Sequence, residues 1–71
     1  MLETGKRYIV TETRRGQVER RFTAVVNWVE DRGDFWYIGY TPDDFRHGRF
    51  GAVRVKKQGL YKVINYTFTA A

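Results

Sequence analysis

The chain has 71 residues, contains no cysteine and carries a formal net charge of +5. A hydrophobic content of 42% and an aromatic content of 17% exclude a disordered chain, and the length allows one domain, residues 1–71, with a single small core. Disulfides and thiolate metal sites are excluded, and no segment has the apolar length of a signal peptide or a membrane span. We therefore expect a single cytoplasmic domain without membrane association.

The charged residues are distributed unevenly along the chain. Residues 3–21 carry a net charge of +3, residues 30–44 carry −4, and residues 45–71 carry +6 without a single acidic residue. A basic surface attracts polyanions through counterion release and long-range steering. The distribution therefore predicts either a nucleic-acid partner or an ordinary solvated charged surface.

The first thirty residues predict a β-hairpin. Residues 7–13 alternate as a strand, and residues 14–17 form a turn in which Gly16 can adopt a positive φ. A long second strand follows over residues 18–30, and such a strand must bend or bulge in a small domain; we expect the bend near Ala24. The face of this strand that alternation assigns to the core consists of Val18, Arg20, Phe22, Ala24, Val26 and Trp28.

An aromatic third strand is predicted over residues 35–40, between turns at residues 31–34 and 41–44. Aromatic and β-branched side chains suit a pleated surface, and the flanking Gly, Asp and Pro suit chain reversal. We assign its even-numbered residues (Trp36, Ile38 and Tyr40) to the core and its odd-numbered residues to the open face. The next residues predict a short helical turn near residues 42–47, with Thr41 as the N-cap.

Two further strands are predicted over residues 49–55 and 60–68, separated by a break of four residues, Lys-Lys-Gln-Gly. The face of the fourth strand that carries Val53 and Val55 is opposed by one that carries Phe50, Ala52 and Arg54. No segment predicts a helix of normal length, and no internal repeat is visible. The fold class predicted from the residues is therefore all-β, with about five strands.

Three stretches are similar to SH3 domains. Residues 34–38, Asp-Phe-Trp-Tyr-Ile, resemble the acidic loop and paired aromatics of that family, and residues 48–53 and 60–64 resemble its strand, 3₁₀ turn and closing strand. With the order of the five strands, this resemblance implies a small five-stranded SH3-like barrel, the fold of SH3, Tudor and KOW-type modules. A five-stranded oligonucleotide-binding barrel has the same number of strands but usually requires a longer chain.

The chain also departs from the SH3 pattern. Its first strand lacks the tyrosine-containing motif that lines an SH3 peptide groove, and Lys-Lys-Gln-Gly replaces a proline before the last strand. We therefore do not expect polyproline binding. Since one fold hosts many functions, the resemblance does not identify the partner.

Basic residues form two clusters suited to phosphate, because the planar guanidinium group offers several donors to it. The first cluster belongs to the predicted hairpin: Arg14, Arg15, Arg20 and Arg21. The second belongs to the C-terminal third: Arg46, Arg49, Arg54, Lys56, Lys57 and Lys62. A solubilising turn and a solvated face are the alternative interpretations of these clusters.

The second basic cluster interleaves with the aromatic residues Phe45, Phe50 and Tyr61. The candidate stacking or partner-binding residues are Phe35, Tyr37, Phe45 and Tyr61. Single-stranded nucleic acid favours this combination, because phosphates take the charge and bases stack on the rings. For Phe50 and Tyr61, packing inside the barrel is the alternative.

No catalytic or cofactor motif is present. The chain has neither serine nor cysteine, and it has no Gly-rich phosphate loop. His47 is the only histidine, and the acidic residues near the third strand do not have the spacing of a calcium loop. We expect a protein that is not an enzyme and that binds no cofactor and no metal.

The favoured hypothesis is a monomer or homodimer that binds DNA or RNA by charge and stacking. Size and charge suggest a regulatory or accessory factor of bacterial or phage gene control. The alternative is a protein–protein interaction module. In that case Phe35, Tyr37 and Phe45 would form an aromatic patch, and the flanking acidic loops would orient the partner.

Overall fold

A computed structural model describes residues 2–44 and 49–71 of the chain. Five strands form one antiparallel sheet in the order β4-β3-β2-β1-β5. Their bounds are β1 Arg7–Arg14, β2 Gln17–Asp31, β3 Phe35–Pro42, β4 Gly51–Lys56 and β5 Ile64–Ala70. No helix occurs within the described ranges, so the prediction of an all-β fold is confirmed.

The sheet curls, but it is not closed by hydrogen bonds in the part of the chain described. β4 and β5 are its edge strands, and they are not neighbours in the hydrogen-bonded order. Some of their Cα atoms nevertheless lie within 8 Å of each other, because the long β2 pairs with β1 and with β3. The structure therefore supports a strongly curled five-stranded sheet.

The turn between β1 and β2 has the conformation that a tight hairpin requires. Arg15 and Gly16 have φ values of 51° and 82°, and two successive positive φ angles are typical of a type I′ turn. Such a turn has a twist that matches the flanking strands. The predicted turn at residues 14–17 is confirmed.

The core lies on the concave side of the sheet. Its buried apolar side chains are Tyr8, Val10, Phe22, Ala24, Val26, Ile38, Tyr40 and Val53. Full burial of a valine or isoleucine contributes about 1.5–3 kcal/mol, so the fully buried Val10, Val26 and Ile38 are major contributors. The assignment of the even-numbered face of β3 to the core is confirmed.

Two β-bulges interrupt the alternation predicted for β2. Arg20 and Val18 pair with two adjacent residues of β1, so Glu19 between them is the inserted residue of the first bulge. Val26 and Trp28 pair with two adjacent residues of β3, so Asn27 is the inserted residue of the second bulge. Between the bulges the predicted inward face is correct. Beyond them it is wrong, because each extra residue reverses the faces and turns Val18 and Trp28 outward. The bend lies at Asn27 rather than near Ala24.

The predicted helix start at Thr41 and Pro42 is also wrong. Both residues belong to β3 and pair with Val25 and Ala24, and the amide of Asp43 continues the pairing with a 2.9 Å bond to the carbonyl of Thr23. Cross-strand pairing to the long β2 therefore prevails over the local capping signal. Residues 45–47, the rest of the predicted turn, lie outside the described residues.

The last strand begins at Ile64, later than predicted. The side chain of Asn65 bonds both the amide and the carbonyl of Tyr61, at 2.8 and 2.9 Å, and thereby holds residues 61–65 in a turn.

Within the described ranges, no segment forms a helix with the length and apolarity needed to cross a bilayer.

Candidate functional site

Aromatic rings gather on the convex side of the sheet, opposite the core. Phe35 and Tyr37 lie on the odd-numbered face of β3, and the bulge at Asn27 places Trp28 on the same side, paired with Gly39. Trp28 and Tyr37 make an edge-to-face contact with their ring centroids 5.2 Å apart. We call Trp28, Phe35, Tyr37 and the neighbouring Phe50 the outer aromatic face.

Cations lie over three rings of this region. The guanidinium of Arg32 lies 5.1 Å from the ring centre of Tyr37, and that of Arg54 lies 5.3 Å from the ring centre of Phe35. The ammonium of Lys56 lies 5.1 Å from the ring centre of Tyr61. These distances are within the range of cation–π attraction. The register of β3 and β4 places Tyr37 opposite Arg54 and Phe35 opposite Lys56, so Arg54 contacts Phe35 diagonally across the strand pair.

Tyr61 is held in place by the two Asn65 bonds to its backbone. It is half-buried and lines a groove between β4 and β5 together with Arg54. The groove extends the cation-bearing surface from β4 toward the first residues of β5.

The cations of the first hairpin lie beside the start of β5. Arg14 pairs with Ile64, and the amide of Arg15 donates a 2.7 Å bond to the carbonyl of Val63, next to Lys62. All three cationic side chains, Arg14, Arg15 and Lys62, are exposed. The structure thus brings one end of the first basic cluster to the C-terminal cluster, although the two are distant in sequence.

Two other candidate cations are engaged by carboxylates. The Nε of Arg20 donates a 2.6 Å bond to Glu12, a buried acid, and this bond raises the pKa of the guanidinium above its usual value. Lys57 donates a 2.7 Å bond to Asp31 and lies 4.2 Å from the ring centre of Trp36. Both cations therefore help to hold the sheet together.

The remaining candidates contribute less to the geometry. Arg21 donates a long 3.4 Å bond to Thr11, and Arg49 is exposed beside Phe50. Phe45 and Arg46 lie outside the described residues. No group of three or more His, Cys, Asp or Glu side chains suited to a metal occurs in the described ranges.

Trp28 was missed as a site residue because alternation assigned it to the core. The bulge responsible is a single inserted residue, and nothing in the local sequence marks Asn27 as that residue. Phe50 was left open between core and surface, and the structure leaves 78% of it exposed. Arg32 was missed because it is the one cation in the acidic segment of residues 30–44. In the structure it also pairs with Glu30.

No protein-family model, curated protein or solved structure matches this chain.

Proposed function

We propose that the protein binds nucleic acid, DNA or RNA, through the outer aromatic face and the cations around it. The observation that carries the proposal is the positioning of Arg54 and Lys56 over Phe35 and Tyr61 on one continuous surface. Nucleic acid offers both partners that this surface lacks, a polyanionic backbone and flat apolar bases.

The contact with Phe35 leaves donors of Arg54 for a ligand, because the guanidinium carries five N–H groups and the side chain is exposed. Those N–H groups can bond phosphate oxygens. A base can then stack beside or on the same platform. The ring pre-orders the arginine, which reduces the side-chain entropy lost on binding.

The hairpin extends the proposed interface. Arg14, Arg15 and Lys62 form a second group of exposed cations near the groove lined by Arg54 and Tyr61. A backbone that follows the groove from β4 toward β5 would meet both groups. The proposal retains the SH3-like barrel as the finer description of the fold, and a cytoplasmic regulatory or accessory factor as the role.

The test is a fluorescence anisotropy titration of labelled oligonucleotides at two salt concentrations. The variants Arg54→Gln and Lys56→Gln each remove one cation from the surface. The slope of log affinity against log salt is negative, and each lost phosphate contact should reduce its magnitude by about 0.7 on a single strand and about 0.9 on a duplex. Lys6→Gln is the matched control, because it changes net charge equally and Lys6 pairs with Glu3 away from this face.

Two results would oppose the proposal. One is an unmodified protein that binds neither DNA nor RNA at low salt; the other is a Lys6→Gln loss equal to that of the β4 variants. Absence of binding would favour the alternative, a protein partner on Phe35 and Tyr37. That alternative requires the acidic loops to orient the partner, but two of their acids, Asp31 and Asp43, are already paired with Lys57 and Arg7, at 2.7 and 2.8 Å.

A further inference from the structure

A cleft on the convex side of the sheet lies between Trp28 and Phe50. We infer that it takes one unpaired base of a single-stranded nucleic acid, stacked between the two rings. This inference rests on the proposed function and adds to it a strand form and a base-binding site.

Gly39 allows Trp28 to form one wall of the cleft. The indole atoms Cε2, Nε1 and Cζ2 occupy the space where a Cβ of residue 39 would lie. The indole therefore lies against the backbone of β3, and the side chain is still 37% exposed. Its edge contact with Tyr37 limits its rotation on that side.

Phe50 is the second aromatic residue that lines this cleft. It is 78% exposed, the largest exposed fraction among the large apolar side chains described. Single exposed apolar residues are common on protein surfaces, but this one shares a cleft of about 520 Å³ with a second exposed ring. The rest of the lining is small or polar and consists of Asn27, Thr41, Gly51 and Ala52.

The small residues leave room for a flat group. Gly51 and Ala52 place no bulky side chain between the walls, and the amide nitrogen of Asn27 donates a 2.8 Å bond to Thr41. That bond fixes the amide of Asn27 and leaves its oxygen as an acceptor for an N–H group of a base. An unpaired base provides both the flat face and such a donor, either the exocyclic amino group of adenine, cytosine or guanine or the ring N–H of thymine.

Charge complementarity selects a nucleotide over an uncharged aromatic ligand. The outer face of β4 carries Ala52 in the cleft, then Arg54 and Lys56 at successive alternate positions, each pair about 6.6–6.8 Å apart along the strand. Phosphates adjoining an inserted base would therefore meet these cations. Duplex bases are stacked on each other and offer no free face, so only an unpaired strand can use the cleft.

The experiment compares Phe50→Ala, Phe50→Tyr and Thr69→Ala on an oligothymidylate and on a duplex of the same length. The length lies within the site sizes of about 4–16 nucleotides of small β-barrels. We expect Phe50→Ala to weaken single-strand binding about tenfold, since one stacked ring is lost. Phe50→Tyr should retain the affinity. Thr69, an exposed residue of β5 that lines neither the cleft nor the groove, is the control and should show no change.

Tryptophan fluorescence gives a second readout. Bound oligothymidylate should quench Trp28, so the quenching should persist in Trp36→Phe and disappear in Trp28→Phe. Trp36 packs against the core and lies on the other side of the sheet.

The outcomes separate this inference from the proposed function. Salt-sensitive binding that is equal in Phe50→Ala and unmodified protein would overturn the cleft and leave the phosphate-binding surface intact. A preference for the duplex would also overturn it. No binding of either oligonucleotide by the unmodified protein would overturn both.

Discussion

The indole of Trp28 occupies the space above Gly39 on the neighbouring strand. This relationship depends on the bulge at Asn27, which turns Trp28 away from the core, and on the missing side chain of its cross-strand partner. A side chain at position 39 would push the ring off the sheet. The pair therefore sets the shape of the outer aromatic face.

Gly39→Ala should destabilise the protein by about 1 kcal/mol and displace Trp28. The new methyl group would collide with the indole, and the ring, being partly exposed, would move rather than the backbone. Urea unfolding followed by tryptophan fluorescence measures the change. The control is Gly39→Ala in a Trp28→Ala background, where the substitution should cost less. Equal costs in both backgrounds would show that the indole is not the obstacle.

Arg20→Met should destabilise the protein by about 2 kcal/mol. It would leave the buried carboxylate of Glu12 without its 2.6 Å partner, while the apolar stem of the side chain is retained. We expect a smaller loss of stability than for a fully buried ion pair, because the Arg20 side chain is 39% exposed. Denaturant midpoints measure it, and Arg21→Met, on the opposite face, should cost less than about 0.5 kcal/mol. The ion pair has no such role if both methionine variants are equally stable.

Stability should decline in acid partly through the pair of Asp31 and Lys57. The hydrogen bond from Lys57 and then that from the amide of Gly33 lower the pKa of the Asp31 carboxyl below its usual value of 3.8. Since the folded-state value lies below the unfolded one, the stabilisation is complete above about 3.8 and is lost as pH falls through the folded-state value. Urea midpoints below pH 5 should fall less steeply in Asp31→Asn and in Lys57→Met. A slope unchanged in both would exclude the pair as a source.

The strands and the core face could be predicted because both follow from local alternation. The even face of β3 and the segment of β2 between Arg20 and Val26 were predicted in this way. The positions of the bulges could not be, because Val18 is an isolated apolar residue at the polar start of β2, and Trp28 and Val29 are adjacent apolar residues at its end, so either face fits equally well.

The site depends more on register than on local pattern. The contact of Arg54 with Phe35 requires the pairing of β3 with β4, which no single segment specifies. The role of Arg20 was accessible, since alternation places both Glu12 and Arg20 on the inward faces of adjacent strands. A buried acid opposite an arginine predicts an ion pair before it predicts a phosphate contact.

Arg15→Asn should raise stability and weaken nucleic-acid binding. Arg15 has a φ of 51°, a left-handed conformation that asparagine tolerates better than other side chains, and Asn-Gly is the preferred sequence of a type I′ turn. We expect a gain of about 0.5–1 kcal/mol in the free energy of unfolding. The lost cation should reduce the magnitude of the slope of log affinity against log salt by about 0.7 on a single strand.

The opposite signs make this variant informative, because a binding loss in a more stable protein cannot result from unfolding. Arg14→Asn is the matched control, because it removes a neighbouring cation from β1, where asparagine is disfavoured. It should lower both the free energy of unfolding and the affinity for nucleic acid. Unfolding by urea and anisotropy at two salt concentrations measure the pair. If Arg15→Asn binds as tightly as the unmodified protein at both salt concentrations, the hairpin takes no part in binding. The interface is then confined to the face formed by β2, β3 and β4.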